Sequence, residues 1–128
     1  MRQQSLHYYL VTAIAAITVV SGLVQMLAPR FVLRLVGAEI TSTSSHFFGI
    51  VGMFMLLFGG ALLHEVFSTP AQPVVALWAA LQKFGAVAAV ILGVLRGIFS
   101  PLALVVSSFD LVSAVIIFAY WSRIKKAA

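Results

Sequence analysis

Four apolar runs, at residues 6–28, 45–67, 74–95 and 101–121, are each about as long as a lipid hydrocarbon core is thick, and they constrain this chain's fold more than any other feature. A core of about 30 Å takes roughly 20 residues of α-helix, and within it every backbone N–H and C=O must be satisfied without water. Helices meet that condition singly. The expected fold class is therefore all-α: an integral membrane four-helix bundle of two antiparallel helical hairpins, forming one transmembrane domain over residues 1–128. Composition agrees, since 62% of residues are hydrophobic and 9% charged, against about half and a quarter in soluble domains. Four crossings leave short connections and no room for a soluble catalytic domain.

The first run follows Arg2 and has the look of a secretory signal. Its apolar stretch exceeds a signal core, Pro29 follows it, and three further runs need insertion, so it is read as a span. Thr41-Ser42-Thr43-Ser44 and the Pro-rich stretch from Ser68 to Pro73 bracket the second run. Only Arg96-Gly97-Ile98-Phe99-Ser100 separates the third from the fourth, which implies a tight hairpin with Pro101 in the first turn of its second helix. Between the first two runs, residues 29–36 alternate apolar side chains with Arg30 and Arg34. That pattern suits a short helix lying in the membrane interface.

The net charge of +5 would suggest nucleic acid in a soluble protein. Here Arg2, Arg30, Arg123, Lys125 and Lys126 flank the apolar runs and read as phospholipid anchors; no nucleic-acid partner is expected. An even number of spans places both termini on one side, with Arg2, Arg123, Lys125 and Lys126, opposite Arg30, Arg34 and Arg96. The balance favours cytoplasmic termini. Tyr8, Tyr9, Tyr120 and Trp121 mark the membrane edge on that side. Absence of cysteine removes disulfides and thiol chemistry. No metal is expected. His46 and His64, about 27 Å apart on one helix, cannot share a haem iron, and His64-Glu65 reads as the surface end of the second span.

Helices in lipid pack through small residues that let backbones approach. Such stripes run through Ala15, Thr18, Gly22 and Gln25 in the first span and His46, Gly49, Gly52, Leu56, Gly59 and Leu63 in the second. The third offers Lys83, Ala86, Val90, Gly93 and Gly97, the last two as a GxxxG pair. The fourth offers Ala103, Val106, Asp110, Ala114 and Ile117. Lys83 and Asp110 fall at matching depth on adjacent antiparallel helices, roughly 15 to 18 Å from one membrane face. A charge facing acyl chains is costly, so the two are expected to form an ion pair inside the bundle, either as a register-fixing clasp or as an acid/base or headgroup-binding site. Gln82, Ser107, Ser108 and Ser113 are candidates to complete its hydrogen bonding. Gln25, His46 and Arg96 lie toward the opposite face. With Lys83 and Asp110 as a floor, they would line a mouth for a lipid headgroup or small ligand.

The second-span string FFGIVGMFMLLFGGALL, the third-span string WAALQKFGAVAAVILGVLRG and the fourth-span string FDLVSAVIIFAYW together resemble the DoxX-like family of small four-span bacterial membrane proteins. The resemblance covers nearly the whole chain. It implies a bacterial cytoplasmic membrane location, an association with quinone-linked or thiol-redox systems, and Lys83 and Asp110 as the family-typical positions; the lack of cysteine argues against direct thiol chemistry. The function expected is an accessory subunit of a larger membrane complex that binds lipid or quinone between its helices, with no other cofactor, and with other membrane subunits or further copies of itself as partners. The alternatives are an enzyme that uses Lys83 and Asp110 as acid and base on a lipid-soluble substrate, and a small oligomeric transporter.

Overall fold

The computed structural model describes residues 5–127. The Arg2 anchor lies outside them. The described residues form five helices: α1 (Leu6–Leu27), α2 (Pro29–Leu35), α3 (Ser42–Val66), α4 (Pro73–Leu95) and α5 (Ala103–Ala127). Helices α1, α3, α4 and α5 are long and apolar enough to cross a membrane, and α2 is the short helix expected between the first two spans.

Local chemistry sets each boundary. Ser5 caps α1, its hydroxyl accepting from the Tyr8 N–H at 3.3 Å. Pro29 disfavours helical geometry at Ala28, which ends α1, and then serves as the first residue of α2. Helix α3 begins three residues before its apolar run because Thr41 and Ser44 form a reciprocal capping box, with both bonds at 2.9 Å. Gly37 and Gly97, at φ +69° and +72°, end α2 and α4 in paired turns. Ala38 N–H reaches Leu33 O at 3.0 Å in the first, and Ile98 N–H reaches Gly93 O at 2.9 Å in the second. Gly97 thus belongs to a helix stop, and the expected GxxxG packing pair with Gly93 does not form. Gly93 is reserved for Phe99, whose ring would meet an added Cβ at 2.5 Å. Residues 101 and 102 turn before α5 begins. That helix continues past Trp121 to Lys125 and Lys126, cations suited to a helix C-terminus.

Chain-adjacent spans pair, so α1 lies along α3 and α4 along α5, with lighter contacts of α1 on α5 and α3 on α4. The α1–α3 contact is nearly backbone on backbone. A Cβ at Gly22 would lie 2.5 Å from the Leu56 nitrogen, and one at Gly52 would lie 2.6 Å from the Met26 nitrogen. The buried apolar cluster joining the two hairpins comprises Val11, Ile14, Ala15, Leu62, Val66, Ala76, Ala79, Ala80, Ile117, Tyr120 and Ile124, all in the half of the bundle nearer the termini. Toward the other end, the hairpins are tied by α2. Val36 O accepts from Ser100 N–H at 2.8 Å, and Gly37 packs on the Ser100 side chain. Outward faces are apolar and open, as at Phe47, Phe54, Leu57 and Trp78, which suits a lipid solvent. The chain is a small integral membrane protein.

Replacing Gly22 with alanine is expected to destabilise the fold by about 2 kcal/mol, because backbone atoms stand where the methyl must go. Gly60→Ala, where nothing lies within 4 Å of an added Cβ, should leave stability unchanged. Unfolding in mixed detergent micelles compares the two.

Candidate functional site

Lys83 is buried on α4, and its ammonium donates to Thr18 Oγ1 at 2.8 Å and to Asp110 Oδ1 at 3.2 Å. The structure therefore joins Lys83 and Asp110, as their depths required. The Thr18 hydroxyl donates to Ile14 O at 2.8 Å, which leaves its oxygen free to receive Lys83. A threonine that spends its proton on its own helix is an acceptor for a cation arriving from another. The Phe109 ring centroid lies 5.5 Å from the ammonium and adds a weaker attraction. Three spans, α1, α4 and α5, meet at this one charge.

The partners expected from serines are supplied differently. Ser108 donates to Leu104 O at 2.8 Å on its own helix, and the buried Ser113 hydroxyl has no hydrogen-bond partner among the described residues. Thr18 takes the place assigned to them. Its position on the small-residue stripe of α1, level with Lys83, was the available signal. On the α3 and α4 side of the ammonium, a void of about 10 Å³ remains between Thr18, Phe58, Gly59, Leu62, Ala79, Gln82, Lys83 and Ile117. That is about the least space a single water requires.

Gln25, His46 and Arg96 occupy separate surroundings. Gln25 is buried and donates from Nε2 to Phe48 O at 3.0 Å, closing α1 on α3. His46 is exposed and lines an open groove of about 390 Å³ with Met26, Pro29, Ser45, Gly49, Ile50 and Met53. Arg96 is exposed at the C-cap of α4. None of the three borders the void beside Lys83.

A second polar cluster sits near the termini. Glu65, read from the sequence as a surface residue, is 2% exposed. Its Oε1 accepts from the Tyr120 hydroxyl at 2.7 Å and its Oε2 from the Gln72 N–H at 3.0 Å, so α3, α5 and the start of α4 are pinned together. Tyr120 is consequently an interior residue and not a membrane-edge aromatic. Tyr120 lies one turn beyond Ile117, where the fourth-span stripe ends, whereas the second-span stripe runs through Gly59 to Leu63 and so bypasses the buried Leu62 that leads, at three-residue spacing, to Glu65. Beside them, Arg123 Nη1 donates to His7 Nδ1 at 2.9 Å. His64 is exposed.

Compared with protein families, curated proteins and solved structures, the chain matches none.

Removing one member of a buried ion pair strands the other charge, whereas replacing both with apolar residues removes the desolvation penalty as well. Lys83→Met is expected to cost about 3 kcal/mol, and Lys83→Met with Asp110→Leu to recover most of that loss, as read by detergent unfolding. At the second cluster, Tyr120→Phe should cost about 1 kcal/mol by the same measurement, because Glu65 loses one donor.

Proposed function

We propose that this chain is an accessory subunit of a larger membrane complex and binds a lipid-soluble molecule, lipid or quinone, against the Lys83 and Asp110 pair. The observation that carries the reading is the incomplete burial of that pair. Lys83 is enclosed, while 14% of the Asp110 side chain is exposed at mid-membrane depth. An intramembrane carboxylate that is not sealed by protein is a polar contact offered to whatever occupies the adjoining space. The resemblance to DoxX-like proteins points to the same two residues and to a bacterial cytoplasmic membrane.

The subunit role is supported by the described chain outside the spans, which amounts to short connections and α2, and by small residues on an outward face. Gly85, Ala88 and Ala89 of α4 are exposed, and a Cβ at Gly85 would meet nothing within 4 Å. Close approach of a neighbouring helix is what such residues permit. The packed apolar cluster near the termini weighs against a solute path through one copy, so transport is the weaker alternative. Acid/base catalysis by Lys83 and Asp110 would use the same open edge and is the alternative the ligand experiment reaches.

Purification from native membranes in mild detergent is expected to bring down a stoichiometric membrane partner together with an extractable lipid or quinone. Recovery of the chain alone, without partner or ligand, would sink both parts of the reading. Arg123, Lys125 and Lys126 at the terminal side favour cytoplasmic termini. A reporter fused after Ala128 should therefore be active in the form that requires the cytoplasm.

A further inference from the structure

The chemistry of the open edge restricts what kind of molecule fits it. Asp110 Oδ1 is committed to Lys83, and among the described residues Oδ2 receives no hydrogen bond. A carboxylate oxygen can only accept, so its complement must carry an O–H or N–H. The edge is reached from the side. Val106, one helical turn away on the same face of α5 and assigned by its spacing to the packing stripe, is 52% exposed, and Phe109 is 38% exposed. An entering molecule therefore arrives through lipid, across Val106 and Phe109, and must have an apolar body. A cationic donor is disfavoured, because Lys83 already balances the charge of Asp110 and a second cation would lie beside the first.

We infer that the site selects an amphiphile bearing a neutral hydroxyl, which donates to Asp110 Oδ2 while its apolar body lies along α5. This rests on the reading that a lipid-soluble molecule binds at the pair, and it adds the group by which the molecule is recognised. A hydroxyl donor comes from two sources in a membrane, a reduced quinol or a lipid alcohol such as diacylglycerol. A fully oxidised quinone offers acceptors alone and lacks the complementary group.

The test measures binding to the purified full chain in detergent of two matched pairs: a prenylated hydroquinone against its dimethyl ether, and diacylglycerol against its O-methyl ether. The hydroxyl member of at least one pair is expected to bind about tenfold tighter than its ether, the ratio a hydrogen bond to a charged group supplies. Which pair shows the preference identifies the source. In the double variant Lys83→Met with Asp110→Leu, the ratio should fall to about one; Asp110→Asn, which keeps the side-chain shape, should reduce it and serves if the double variant does not fold. Equal binding of alcohol and ether by the native chain overturns the hydroxyl inference while leaving amphiphile binding intact. A preference unchanged in the variants overturns it as well, since the hydroxyl is then read elsewhere. Failure of all four probes to bind overturns both the inference and the ligand-binding reading beneath it.

Discussion

Hydrocarbon cannot solvate an ammonium, and the arrangement of this bundle follows from where Lys83 finds its partners. Asp110 supplies the countercharge from α5 and Thr18 a neutral oxygen from α1, so three spans are fixed at one level by a single side chain. The fourth span is held by α1, through glycines that bring backbone against backbone at Gly22 and Gly52. Polar contact sets the register, and close packing fills in around it. Lipid offers no hydrophobic drive between helices, which leaves these two kinds of contact to do the associating.

The bundle is layered along the membrane normal. Glu65, Tyr120 and the Gln72 amide form a polar layer near the termini, followed by the apolar cluster around Ile14, Leu62, Ala79 and Ile117, then the charge pair, then the Gln25 clasp on the backbone of α3. Each polar layer crosses between helices that the apolar residues alone would let slide. Gln25 and Glu65 resemble each other in this respect: each long polar side chain satisfies a main-chain group of a neighbouring segment.

Apolar run length is a strong signal in lipid because the solvent leaves the backbone few options, and so the four spans, their pairing and the Lys83 and Asp110 contact could be read from residue order. What escaped the reading depended on direction around a helix. Val106 sits at a spacing that suits the packing face, yet α5 turns it outward. Glu65 follows a histidine at the end of a run and resembles a surface terminus, yet the turn into α4 brings the Gln72 amide over it. Gly97 matched a helix-packing pattern and instead adopts a positive φ, which only its position after the last helical residue reveals. The grouping of Gln25, His46 and Arg96 relied on depth alone. Equal depth does not place side chains on facing surfaces, and Gln25 turns into the α1–α3 contact while His46 and Arg96 turn out.

The apolar cluster has an electrical consequence. Its members Ile14, Leu62, Ala79 and Ile117 lie between the charge pair and the Glu65 and Tyr120 layer as a slab of low dielectric, and a field across the membrane drops most steeply through such a slab. A proton moving between Lys83 or Asp110 and the terminal compartment would have to traverse it. The pair is thereby set apart from the terminal-side water by packed apolar side chains, while Asp110 keeps an open edge at its flank.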